Sequence, residues 1–183
     1  QAQTRTSKDD YDGDFVAAEG NYLTVCSMNL AFRREVIPAF YQLPMDENEW
    51  DVGRFDDIWS GVFLKRACDI LGTQIYNGEP LCEHNKAARS TFDDLNNEVP
   101  GLELNEHLWE IVDDVGEEAA AAVDQSDDAF GADPEAYAAV FEAMADELEG
   151  GDWGAYNNGA FFNYVGKFMG DWLDCLDALA ETP

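Results

Sequence analysis

Basic residues are scarce. Lys and Arg together number 10 in 183 residues and His only 2, against 39 Asp and Glu, for a formal net charge of -29. A surface this short of cations repels phosphate backbones and anionic headgroups, which excludes direct nucleic-acid binding and adsorption to an anionic membrane. Long apolar runs are also missing: none approaches the roughly 20 residues that cross a bilayer, so no membrane span is expected. The opening Gln1-Ala-Gln-Thr-Arg-Thr-Ser-Lys8 lacks the apolar region of a signal peptide. Cysteine is sparse and dispersed. Cys26, Cys68, Cys82 and Cys175 form no CxxC pair and no dense framework of the kind small secreted domains use, so reduced thiols in a cytoplasmic protein are expected.

What is present is apolar and acidic. Hydrophobic residues make up 46% and aromatics 13%, enough for one ordinary core and far too much for a disordered acidic tail. The charge therefore belongs on a folded surface. At molar salt the Debye length falls to ~3 Å, which removes most of the repulsion between neighbouring carboxylates, so the composition reads as adaptation to high salt. A nucleic-acid mimic or a cation buffer would concentrate its acids in repeats or calcium-loop spacing, and these are spread along the chain. A first residue of Gln, followed by polar residues and then a strand-like segment, leads us to expect a chain that begins inside a longer gene product.

Three stretches are expected: a polar terminus over 1–14, an α/β domain over 15–101 and a helical tail over 102–183. The segment Tyr22–Phe32 is rich in β-branched and aromatic residues and predicts one or two strands. Arg33–Gln42 predicts a short helix limited by Pro38. Ile58, Val62, Leu64, Cys68 and Leu71 largely share one face and predict a helix over Asp56–Leu71, closed by Gly72. Gln74–Tyr76 reads as a strand, Asn77–Pro80 as a turn, and Leu81–Thr91 as a polar loop. Helices are predicted over Leu102 to about Val123, Pro134 to about Leu148, and Trp153 to Leu179.

Two clusters could carry chemistry. Gly53-Arg54-Phe55-Asp56-Asp57-Ile58-Trp59 sets two carboxylates at a helix start beside an Arg and an indole. Asp56 and Asp57 could position or deprotonate a sugar hydroxyl while Trp59 offers an apolar face. Equally, acids in a first turn satisfy free amides and the positive helix end without any catalysis. Glu83-His84-Asn85-Lys86, with Arg89 beyond, places three cation-capable side chains within six residues. His84 could bind a divalent metal and Lys86 or Arg89 neutralise a diphosphate, although a lone His is more often an ordinary polar contact. The aromatic series Trp153, Tyr156, Phe161, Phe162, Tyr164, Phe168 and Trp172 reads as core or subunit interface, and His107 as structural.

Taken in order, Ser27-Met-Asn-Leu-Ala-Phe-Arg-Arg-Glu35, Gly53-Arg-Phe-Asp-Asp-Ile-Trp-Ser-Gly61, Cys68-Asp-Ile-Leu-Gly72, Gly78-Glu-Pro80 and His84-Asn-Lys-Ala87 resemble the reversibly glycosylated polypeptides, the UDP-arabinopyranose mutases of plants, and their archaeal relatives. The resemblance covers about residues 22 to 98. It implies an α/β fold, the carboxyl-terminal part of a glycosyltransferase type A-like (nucleotide-diphospho-sugar) fold followed by a helical tail. It implies a UDP-sugar-dependent mutase or glycosyltransferase. The divalent metal, manganese or magnesium, would be held mostly by an upstream Asp-X-Asp segment outside this chain. By position it assigns Asp56 and Asp57 to an acidic pair near the acceptor sugar, His84 to the metal and Lys86 to phosphate contact. With the two clusters, the expected site is then Asp56 and Asp57 as catalytic, Asn29, Arg54, Trp59, Lys86 and Arg89 as substrate-binding, and His84 as metal ligand. The expected partners are a nucleotide sugar and either further copies of the chain or a missing amino-terminal half. Glu83 stands where the family has Trp and Asn85 where it has Ser. The alternative is a non-catalytic assembly or acceptor subunit on the same scaffold.

Overall fold

Helix α1 (Asp56–Ile70) forms where its predicted periodicity placed it, but it is buried more completely than one apolar face requires. Residues Trp59 to Lys65, together with Ala67 and Cys68, are all buried, so the helix meets protein on nearly every side. Close neighbours force small residues at the contacts. A Cβ on Gly61 would stand 2.4 Å from the backbone nitrogen of Val25, where an extended segment crosses the helix. One on Gly116 would strike the Arg66 side chain, at 2.1 Å from Nε. Beyond the C-cap Leu71, Gly72 takes φ +66, the left-handed turn that ends helices.

The computed structural model describes residues 13–25, 29–45, 48–79, 90–122 and 133–181. Around α1 stand a 3-10 helix (Arg34–Ala39), α2 (Thr91–Asn105), α3 (Leu108–Ala122), α4 (Pro134–Gly150) and α5 (Ala160–Ala180). Among the described residues the one sheet is small: β1 (Phe15–Val16) pairs antiparallel with β2 (Tyr76–Asn77), Phe15 opposite Asn77 and Val16 opposite Tyr76. The architecture of the described residues is mostly helical, and the sheet expected within 15–101 is limited there to this one two-stranded pair.

The described part of Tyr22–Phe32 holds no strand. Tyr22 sends its hydroxyl to Asp113 and packs its ring on Trp109 at 5.3 Å, so the segment is held by side chains and not by a ladder. β-propensity expresses a fit to neighbouring strands, and Tyr22–Val25 has none beside it. Helix α2 takes in residues expected as loop. Ser90 caps it, accepting from the Asp93 amide at 3.3 Å, and Asp93 and Asp94 occupy its first turn. The helix predicted over 102–123 is two, α2 and α3, separated at Glu106–His107. The last helix starts at Ala160, because residues 153–159 form turns with Asn158 left-handed at φ 59.

The buried cluster runs from Ala39, Val52, Phe55, Trp59 and Val62 through Leu104, Leu108 and Val112 to Tyr137, Val140, Phe161 and Val165, and the position 101/102 lies within α2. The aromatic series is packing, as expected: Phe161 and Phe162 are fully buried, and Trp172 donates to the Pro38 carbonyl at 3.2 Å while stacking on Tyr41. Helices α4 and α5 come closest at Gly166, where a Cβ would stand 2.6 Å from the Ala145 carbonyl oxygen. None of the helices has a basic residue in its last turn. On α4 the orphan carbonyls are met instead by the Asn163 amide, which reaches Leu148, Glu149 and Gly151 at 3.0, 2.8 and 2.9 Å.

One of the ten cations is spent inside. Lys65 is fully buried; its ammonium pairs with Asp69 and donates to the Ala18 carbonyl at 3.0 Å, and Asp69 accepts from the Gly20 amide at 3.2 Å. Removing one partner leaves the other charge buried and alone. Lys65→Ala is expected to cost about 3–5 kcal/mol, whereas the double variant Lys65→Met/Asp69→Leu should recover most of that loss. Urea unfolding of both variants in molar salt checks this.

Candidate functional site

The chain enters α1 through a loop whose shape is set by one side chain. Asn48 Oδ1 accepts from the amides of Trp50 and Val52, each at 3.1 Å, while its Nδ2 donates to the carbonyls of Met45 at 3.3 Å and Val52 at 2.6 Å. The turn this imposes is strained. Asp51 and Arg54 sit in the left-handed region at φ 54 and φ 67, which costs a residue with a Cβ roughly 1–2 kcal/mol each.

From that position Arg54 reaches α2. Its Nη1 donates to Asp94 at 2.6 Å and its Nε lies 3.0 Å from the Glu98 carboxylate in a second ion pair, one helical turn further along α2. Between loop and helix lies an open cleft of about 670 Å³, lined by Asn48, Asp51, Gly53 and Arg54 on one side and Asn96, Asn97 and Pro100 on the other. Pro100 has no amide hydrogen, so the Asn96 carbonyl lacks its helical partner on the side that lines the cleft. Asp94 and Glu98 hold the guanidinium, and among the cleft's own lining residues the charges of Asp51 and Arg54 balance. A polar lining without net charge suits a neutral polyhydroxyl group.

The sequence-predicted residues are thus only partly brought together. Arg54 is on the cleft wall. Asp56 and Asp57 lie half-buried in the first turn of α1, at its positive end, and neither has an ion-pair or hydrogen-bond partner for its carboxylate among the described residues. They follow the cleft's lining in sequence and are not part of it. Asn29 is exposed in the loop before the 3-10 helix, and it too is outside the cleft lining.

Trp59 corrects the expectation of an apolar face for a sugar. It is fully buried, stacked on Phe162 at 5.5 Å, edge-on to Phe161 at 5.8 Å, with Nε1 donating to Asn105 at 3.2 Å. Its ring is occupied on the inside and has no outside. His84, Lys86 and Arg89 lie outside the described residues. His107 packs on the Tyr156 ring at 4.8 Å, the structural role expected of it.

Asn48, Asp51, Asn96, Asn97 and Pro100 escaped the sequence reading. The cap pattern Ser90-x-x-Asp93 was the signal that would have extended α2 back to residue 91 and carried the Asn pair onto a helix. Nucleophilic thiol chemistry is disfavoured at Cys68, because burial pushes its thiol up and away from thiolate formation. Burial likewise pushes the Tyr137 hydroxyl up to about 12, and it serves as a bridge to Thr73 at 2.7 Å. Among the described residues no group of three or more His, Cys, Asp or Glu could hold a metal ion. The implied manganese or magnesium therefore finds no such ligand set among them. No helix among them is long and apolar enough to cross a membrane.

Comparison with known proteins bears on this geometry. The pattern of the family described as "Reversibly glycosylated polypeptide" matches residues 3–130. The "Probable UDP-arabinopyranose mutase 1" of Pisum sativum is 37% identical over 98 residues, which are 53% of this chain and 26% of that protein. The "UDP-arabinopyranose mutase 1" of Arabidopsis thaliana is 37% identical over 98 residues, 53% of this chain and 27% of its own length. The "Probable UDP-arabinopyranose mutase 4" of Arabidopsis thaliana is 40% identical over 85 residues, 46% of this chain and 23% of its own length. The chain thus spans about a quarter of the length of the curated relatives it matches.

The Arg54 geometry separates two effects. Arg54→Ala and Arg54→Gly both remove the pairs to Asp94 and Glu98, which are about one-third exposed and worth at most about 1 kcal/mol each. Only the glycine also relieves the left-handed strain. Arg54→Gly is therefore expected to unfold at a higher temperature than Arg54→Ala, read by thermal melts in molar salt.

Proposed function

The chain belongs to the reversibly glycosylated polypeptide family, and from that premise we propose that it forms the sugar-facing side of a UDP-sugar mutase or glycosyltransferase-like enzyme adapted to high salt. The observation that carries the reading is Arg54, held by two carboxylates on the wall of a polar cleft at the entry to α1. A guanidinium has five N–H donors, and one is donated here to Asp94, which leaves donors for sugar oxygens in a side chain already fixed by its two ion pairs. Asn48 shapes the loop and has its amide fully engaged. Asn96 and Asn97, with the Asn96 carbonyl that Pro100 leaves without its helical partner, supply donors and acceptors of the kind hydroxyl groups need.

In this reading Asp56 and Asp57 at the positive end of α1 act on a sugar hydroxyl presented from the cleft, as base or as hydrogen-bond acceptor. The diphosphate is assigned to Lys86 and Arg89 and the metal to His84, on the chemistry of these side chains together with the family resemblance. The glycosyltransferase type A-like fold, the choice of sugar and the cytoplasmic setting belong to the same proposal. Support comes from the family membership and from a cleft volume within the ordinary range for small ligands.

UDP-arabinopyranose titrated into the protein in molar salt is expected to shift the side-chain amide signals of Asn96 and Asn97, while UDP alone leaves them unmoved. Arg54→Lys, which loses the planar fork, is expected to weaken binding about tenfold, equivalent to about 1.4 kcal/mol. Equal shifts with UDP alone, or none with the sugar nucleotide, would exclude the sugar-facing assignment and favour the non-catalytic assembly subunit.

A further inference from the structure

Helix α2 presents three different sides. Gly101 and Leu104 are buried, and Gly101 is in contact with the Phe55 ring, which a Cβ there would approach to 2.5 Å. Asn96, Asn97 and Pro100 line the cleft. The remaining side, across the helix from Gly101, carries Phe92, Leu95, Val99 and Leu102 at spacings of three, four and three residues. These side chains are 80%, 48%, 42% and 43% exposed. An amphipathic stripe of this kind faces a partner in a folded protein, and nothing among the described residues covers it.

Three observations bear on what the stripe receives. The first is charge: Glu98 and Glu103 flank it at helical spacing on a chain of net charge -29, so a second copy would bring like charges together. The second is area. A 15-residue helix is about 22 Å long, and four side chains on it cover on the order of a few hundred Å², well below the roughly 800 Å² per partner of a stable free-standing association. A contact that small holds when connectivity or other contacts keep the partner close. The third is extent. The family pattern runs across the whole of α2, yet the residues aligned to the pea relative are only 26% of that protein, so most of the family's sequence lies beyond the part shared with this chain.

We infer that the Phe92–Leu95–Val99–Leu102 stripe is the seat for a polypeptide carrying the remaining part of the family's sequence, joined to this chain or separate, which meets it with an apolar surface and a neutral or basic rim. The inference rests on family membership and on α2, and not on the sugar-facing assignment, so a failed sugar titration leaves it standing. Because α2 also lines the cleft and holds Arg54, a partner seated on the stripe would fix the cleft's outer wall.

Position 92 tests it directly. The protein carrying p-benzoylphenylalanine in place of Phe92 is expressed in the cells it comes from, irradiated, and the cross-linked peptides sequenced by mass spectrometry. The expected adduct is to a peptide of reversibly glycosylated polypeptide sequence outside residues 1–183. An adduct to a second copy of these residues, to an unrelated protein, or no adduct at all, would overturn the inference. In parallel, light scattering of the purified 183-residue chain in molar salt is expected to report a monomer. A dimer returned to monomer by Phe92→Glu/Val99→Glu would assign the stripe to self-association and overturn it as well.

Discussion

The burial of α1 on nearly all sides is the constraint on which the rest of the structure depends. A helix surrounded this way leaves no room for ordinary side chains at its contacts, hence Gly61 under the crossing segment and Gly116 under Arg66. It also forces a decision about any polar residue it carries. Lys65, fully buried, is made tolerable by Asp69 and the Ala18 carbonyl, and that arrangement ties the amino-terminal segment to the helix. What remains open on α1 is its amino-terminal end, where the strained loop, Arg54 and the cleft are found. Strain gathers where the packed helix stops and the chain must turn around it.

Charge scarcity shapes the same molecule in a different way. With few cations available, work usually given to Lys and Arg passes to neutral groups. The carbonyls at the end of α4 are met by Asn163 and by the Trp153 indole, which donates to Leu148 at 2.9 Å. Two of the scarce cations, Lys65 and Arg54, serve as links between segments distant in sequence. Arg54 sits between two carboxylates that would repel one another without it.

Much of the site's uncertainty in sequence came from residues that suit two roles. An indole beside two acids fits a sugar platform and a core equally well, and for Trp59 the choice was made by Phe162 and Phe161, more than 100 positions away. Arg54 was legible as a member of a motif, but its partners Asp94 and Glu98 were not, because the next helix was expected to begin only at Leu102. The proline is accommodated since its missing hydrogen bond opens toward the cleft, and Gly101 is required because the Phe55 ring presses against it. Asn48 gave no local sign of its role: four hydrogen bonds from one amide side chain depend on the loop already being folded.

By itself the sequence determined the family, through five short motifs in order, the extents of α1 and α4, through periodicity and end signals, and the acidic surface, through composition. These are local or additive properties, readable without knowing what touches what. The tertiary structure alone decided that the described part of residues 15–101 pairs only two short strands, that Trp59 is core, that Lys65 is internal, and that Arg54 faces a cleft completed by α2. Each of those depends on contacts between segments far apart in the chain, and burial, pairing and cleft walls come into existence only when such segments meet.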